Sequence, residues 1–192
     1  MHYRRSLAEI LGKEEAEAWK RKWREQYWSE IKRWREQAQA YREHLEEALG
    51  FTSRWKGELV YRRLPGGAVG AKEWRCTIAL DEDFWQSATE EQKRHVLIHE
   101  MLHSLLPGLT PSAYRLHRGW EEGVVERLSY LFYRRMHHEA DGWATGYAHY
   151  IEALEGARRA LEMPEDDFYL WLFQVPLPSR GTALFRKAEI RT

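Results

Sequence analysis

"RHVLIHEMLHSLLPG", residues 94–108, decides how the rest of the chain is read. Ile98, Met101, Leu102 and Leu105 recur at three- and four-residue steps, the period of a helix buried along one side. His99 and His103 are four residues apart, so on that helix they stand one above the other. They can aim two imidazole nitrogens at one point about 2 Å from each. Glu100 is one step round, from where its carboxylate reaches a water at that point, as a general base must. The alternative is a core helix in which three polar residues fall together by coincidence. A His-Glu-x-x-His string arises by chance in about one such sequence in twenty, so context has to decide. His95 extends the face to three histidines spanning about 12 Å, too far for one ion. Only His99 and His103 bracket a glutamate, and His95 reads as a surface residue or a support behind the ligands.

A catalytic zinc site takes three protein ligands and leaves one position for water, so a third ligand is required. "HRGWEEGVVERLSY", residues 117–130, offers Glu121 and Glu122. Together with His99, Glu100 and His103, this "EEGVVE" run resembles the gluzincin class of zinc metallopeptidases, in its minimal, single-domain (minigluzincin-like) form. The resemblance covers residues 87 to about 155. It implies that Glu122, with eighteen residues between it and His103, is the third zinc ligand. Glu121 lies a hundred degrees round the helix and lacks the family spacing. Glu126 resembles the second glutamate of these families, orienting a ligand histidine, with a surface salt bridge as the plain alternative. The resemblance also implies a cleft lined by the strand before the motif helix, here residues 74–80, and a hydrogen-bond donor for the oxyanion. "ATGYAHYIEAL" supplies Tyr147 first, Tyr150 second and His149 as a third choice for that donor, or two packing tyrosines.

The chain's 192 residues suit one domain with a real core, or a compact domain with an extension. Acidic and basic residues balance at 30 each, which gives no electrostatic reason to bind nucleic acid or an anionic membrane. A single cysteine, Cys76, makes no internal disulfide, and neither a signal peptide nor a membrane span is read; the expected location is the cytoplasm. Ser6 with Glu9 fits a helix start and Gly50 a helix stop, giving one long helix over 6–49 or two with a bend near Gly12. Tyr27, Ile31, Trp34, Ala38, Tyr41, Leu45 and Leu49 make an apolar stripe on it, covered by the rest of the chain or by a partner or second copy. Trp19, Trp23, Trp28 and Trp34 lie among Lys20, Arg21, Lys22, Arg24 and Arg33, but interleaved Glu25, Glu30 and Glu36 argue against a base-stacking surface.

Residues 58–64 and 74–80 read as strands joined by "PGGAVGAK" as a loose hairpin, with Trp74, Cys76, Ile78 and Leu80 on one face. Ser87 with Glu90 and Thr89 with Gln92 are overlapping capping boxes for a helix over 88–106, stopped by Pro107 and Gly108. Helices over 120–138 and 141–163 and a last one from Pro164 follow. Gly123 would let the second helix approach the first. The expected fold is a helix-rich α+β, zincin-like domain over 51–163 with a small antiparallel sheet, a long N-terminal helix over 1–50, and a C-terminal helical segment and tail over 164–192.

The function expected is zinc-dependent hydrolysis of peptide bonds, more an endopeptidase than an exopeptidase, with one zinc on His99, His103 and Glu122. Glu100 is the general base, and Tyr147 or Tyr150 the oxyanion donor. Three other readings stand beside it. One is a catalytically silent, zinc-stabilised module that binds a protein through the N-terminal helix. The others are a metal-free helical adaptor, and a latent protease whose N-terminal helix or tail occludes the cleft.

Overall fold

Capping residues fix where the elements begin. In the computed structural model, which describes residues 12–73, 76–106, 110–138 and 146–189, Thr89 Oγ1 accepts from the Gln92 N–H at 3.2 Å, and the Gln92 side chain accepts from the Thr89 N–H at 2.9 Å. This reciprocal pair starts the helix Glu90–Leu105. Asp81 serves twice: Oδ1 accepts from Phe84 N–H and Oδ2 from Leu64 N–H, each at 2.9 Å, so it ends a strand, starts a helix and pins a loop.

In chain order the elements are α1 (Lys13–Leu49), β1 (Leu59–Arg62), β2 (Gly70–Lys72), β3 (Ile78–Asp81), α2 (Glu82–Ser87), α3 (Glu90–Leu105), α4 (Pro111–His137), α5 (Ala148–Ala160), α6 (Glu165–Gln174) and α7 (Arg180–Glu189). The chain is therefore helix-rich α+β, as expected. The start of the first helix at Ser6, Trp74, the Pro107–Gly108 stop, residues 141–145, and the side chains of Lys20, Trp23 and Arg24 lie outside the described residues. No helix among the described residues is long and apolar enough to cross a membrane.

Two compact units divide the chain, residues 1–37 and 38–192, and α1 contributes to both. In the first, Trp19 and Trp28 are exposed. In the second, Ala38, Tyr41, Leu45 and Leu49 continue the apolar stripe and are buried. Gly50 ends α1 at φ +70°, donating its N–H to Glu46 O at 2.9 Å.

The sheet departs from expectation. It is mixed, in the order β1-β3-β2: β1 pairs parallel with β3, and β2 pairs antiparallel. The stretch expected to be a loose hairpin connection contains β2, so residues 58–64 and 74–80 do not form a hairpin and the sheet is not purely antiparallel. Pro65 starts a single turn in which Gly66 and Gly67 take φ of +69° and +74°, which only glycine adopts without strain, and this sends the chain back as β2. Cys76 itself sits at φ +69°, so the second strand begins at Ile78 rather than near Trp74. Ile78, Ala79 and Leu80 are all fully buried, which fits a central strand covered on both faces rather than the one-faced alternation expected.

α4 begins at Pro111, nine residues before the expected start at Trp120. Thr110 Oγ1 accepts from Ala113 N–H at 3.2 Å and Pro111 occupies the first turn, where its missing N–H costs nothing. The helix kinks at His117 (φ −123°, ψ 22°), just before the stretch that carries the glutamates. The core lies between α3, α4, α6 and the sheet. Val96, Leu97, Ile98, Met101 and Leu102 of α3 meet the layer of Val124, Val125, Leu128 and Phe132, and Phe168, Leu172 and Phe173 close the other side; all are essentially inaccessible. Burying each such side chain favours folding by about 1.5–3 kcal/mol.

Gly123 permits close packing, but against α5 rather than α3. A Cβ there would lie 2.8 Å from Leu154 Cδ1, 3.1 Å from Tyr150 Cβ and 3.3 Å from the Tyr150 backbone. Gly123→Val is therefore expected to destabilise the protein by about 1–3 kcal/mol despite removing a helical glycine. Urea denaturation checks this, and an unchanged midpoint would contradict the close packing of α4 on α5.

Candidate metal centre

α3 presents His99 and His103 on one face, and α4 brings Glu122 to them. The two Nε2 atoms are 3.1 Å apart, and Glu122 Oε2 lies 3.3 Å from that of His99 and 3.4 Å from that of His103. All three side chains are buried, and their ligand atoms lie within 4.8 Å of one another. The three residues expected to bind metal thus come together, with Glu100, also buried, beside them on α3.

The far sides of the imidazoles are held as tightly. His99 Nδ1 donates to Glu126 Oε2 and His103 Nδ1 to Glu121 Oε1, each at 2.7 Å. Glu126 is therefore a buried partner of the His99 imidazole, not a surface salt bridge. Glu121, a hundred degrees round α4 from Glu122, reaches the back of His103 instead of its Nε2. His95 is buried, its Nε2 3.4 Å from Glu126 Oε1 and 3.1 Å from Ser129 Oγ, so it is not the surface residue that was one of its two expected placements.

These partners decide what can occupy the centre. With each Nδ1 proton given to a carboxylate, both Nε2 atoms present lone pairs. Glu122 Oε2 is buried and meets no hydrogen-bond geometry. With the imidazoles neutral, three acceptors converge here, and two imidazoles plus a carboxylate are the ligand set of a catalytic zinc site; protons on the two Nε2 atoms, ion-paired with Glu122 Oε2, are the metal-free alternative. The residues fit that ion.

Burial alone would raise Glu122 and Glu126, but the histidines outweigh it: His103 and His99 hold Glu122, and His95 and His99 hold Glu126, below the usual carboxylate range. Burial likewise pushes the histidines down. Carboxylates beside them win, lifting His99 well above its ordinary value and His103 to about 9. Glu100 differs: burial raises it, and the pull of His99 and His103 and the N–H of Lys72 only partly offset that.

A cleft of about 450 Å³, lined by Pro65–Gly70, His95, Val96, His99, Glu100, Arg118, Glu126 and Tyr147, runs along this face. A smaller one of about 240 Å³ adjoins it and adds Lys72, His103, Tyr114 and Glu122. The strand at this wall is β2, and of the expected 74–80 the described residues 76–80 do not line it: a Cβ on Gly70 would lie 2.8 Å from both Glu100 Oε1 and Val96 Cγ1. Tyr147 stacks on the His99 ring at 5.7 Å and 12° and hydrogen-bonds with Arg118. Tyr150 lies instead against Gly119 and Gly123 of α4, and His149 is exposed with its ring on Tyr150; neither lines the cleft.

Three residues missed in the sequence belong to the site. Tyr114 OH donates to Glu122 Oε1, Arg118 Nε lies 3.8 Å from the same oxygen, and the fully buried Arg180 places Nη1 3.3 Å from Glu121 Oε2. Tyr114, Arg118, Glu122 and Glu126 fall at four-residue steps, a signal visible once the helix is started at Thr110–Pro111 rather than at Trp120.

No protein-family model matches the chain, and comparisons with curated proteins and with solved structures also return no match. In metal-free protein, His103 acquires its carboxylate neighbours only on folding, so its folded value of about 9 exceeds the ordinary 6.5. The stability this provides is full below pH 6.5 and is lost as pH rises through 9. Denaturation of chelator-treated protein should give a lower unfolding free energy near pH 9 than near 6.5, with the difference reduced in His103→Asn. A stability that rises across this window would contradict the arrangement.

Proposed function

We propose that the chain is a zinc-dependent metallopeptidase of the gluzincin type, with a zincin-like catalytic domain that takes peptide or protein substrates. The observation that carries this reading is the convergence of His99 Nε2, His103 Nε2 and Glu122 Oε2, with Glu100 buried beside them. Held by these three ligands, zinc would supply Lewis-acid polarisation and activation of water. Glu100, whose carboxyl is raised by burial, takes the proton from the attacking water and passes it to the leaving amine. The Lys72 N–H and the close approach of Gly70 hold Glu100 against β2, and that edge strand offers backbone to an extended peptide beside the base. Tyr147, stacked on His99 with its hydroxyl shifted up by burial and Glu122, stays protonated and donates to the oxyanion. The proposal keeps the expected cytoplasmic location.

A second reading has support in the first unit. Exposed Trp19 and Trp28 on α1 are the kind of surface a zinc-stabilised, catalytically silent module would use to hold a partner protein.

Elemental mass spectrometry of protein purified without added metal should find about one zinc per chain. Glu100→Gln should keep that zinc and lose turnover by about 100-fold or more in a peptide-library assay, whereas Glu122→Ala should lose the metal. Zinc with no cleavage of any library would favour the interaction module. Tyr147→Phe should lower kcat by about 100-fold at unchanged zinc content; an unaltered kcat would remove Tyr147 from the mechanism.

A further inference from the structure

Arg180 opens α7, far along the chain from the centre, yet its side chain is completely buried. Nη1 donates to Trp120 O at 3.0 Å and to Glu121 Oε2 at 3.3 Å, and Nε donates to Val175 O at 3.3 Å. The other oxygen of the same carboxylate accepts from His103 Nδ1 at 2.7 Å. A connected path thus runs from the turn between α6 and α7, through a guanidinium and a carboxylate, to the back of an imidazole whose front faces the proposed ligand position. Glu121 is as inaccessible as Arg180, so neither has water as a substitute partner.

We infer that Arg180 is a positioning residue for the metal centre: it fixes the Glu121 carboxylate, which in turn fixes the ring orientation of His103. The inference rests on the metal-centre reading above. Its physical basis is that a ligand histidine binds well only when its ring plane and tautomer are set in advance. A carboxylate anchored through one oxygen does this with the other, whereas a loosely held one would let the ring rotate. Arg180 suits the task because its donors leave in a rigid fork, so one side chain can join the α6–α7 turn, the Trp120 carbonyl and Glu121 at once. The α6–α7 segment is therefore part of the centre, and cutting it away would open the site's support rather than relieve an occlusion.

The test is zinc affinity, read by competition with a chromogenic chelator, for full-length wild type, Arg180→Met, Glu121→Gln and the double variant. Each sample is first matched to wild type by far-UV circular dichroism. Arg180→Met should bind zinc about tenfold more weakly, and Glu121→Gln about 10- to 100-fold. Adding Arg180→Met to Glu121→Gln should cause little further loss, because Arg180 acts through that carboxylate. A role confined to holding the fold would lower thermal stability and leave the zinc constant of the folded protein unchanged. An unchanged constant in Arg180→Met, or a full tenfold loss persisting in the Glu121→Gln background, would overturn the inference. If Arg180→Met does not fold, Arg180→Lys takes its place, since one ammonium cannot serve all three acceptors in the same geometry. Wild type that takes up no zinc overturns the metal-centre reading itself, and is thereby distinguished from wild type that binds zinc indifferently to Arg180.

Discussion

Charge burial is the constraint on which this structure depends. Among the described residues Glu100, Glu121, Glu122 and Glu126 are buried side by side, and each buried ion costs several kcal/mol unless compensated. Arg180 offsets one negative charge. The remainder must be met by protons on His99 and His103 or by a cation between them, and both answers use the same atoms. Raised histidines and a divalent metal are two responses to one electrostatic demand, which is why the centre is so densely supported from behind.

Meeting that demand shapes the helices. α3 carries the histidines, and its other face is apolar, so the centre is held at the core rather than on a loop. α4 answers with a four-residue ladder, Tyr114, Arg118, Glu122 and Glu126, running from the cleft into the interior. Its lower rungs are buried carboxylates and its upper ones are a half-buried phenol and an exposed guanidinium. The glycines of the same helix, Gly119 and Gly123, let Tyr150 and Leu154 of α5 press against its outer side. Tyr150 is consumed by that packing, which leaves Tyr147, at the start of α5, as the tyrosine facing His99.

How much of this was legible follows from the range of the signals. The motif helix, its Thr89 cap and the pairing of His99 with His103 are readable because helical spacing is local and the capping chemistry is explicit, whereas Glu122, on another helix, is reached only through the family resemblance. The start of α4 is equally local, in Thr110 and Pro111, but a helix expected only from Trp120 leaves Tyr114 and Arg118 outside it. The sheet was not legible. "GGAVGAK" reads as a turn from its glycines, and nothing within it reveals that Gly70–Lys72 pairs with β3 across the face of Glu100. Arg180 was invisible for a stronger reason: its partner Glu121 is 59 residues away, and no local pattern marks an arginine that will be fully buried.

Two carboxylates share the same pair of histidines yet shift in opposite directions, and this separates their roles. Glu122 lies against both Nε2 atoms, so attraction to the imidazoles exceeds the burial penalty and the anion is favoured. Glu100 is one helical step away, buried against Gly70 of β2 at the cleft wall, with the charge of Glu122 adding to the effect of burial, so its neutral form is favoured more than usual. Environments that drive neighbouring acids apart are how a site assigns one to hold charge and the other to move a proton. Within the proposed function, Glu122 is thus the group suited to remain an anionic ligand. Glu100 is suited to accept and return a proton, and exchanging their positions would serve neither task.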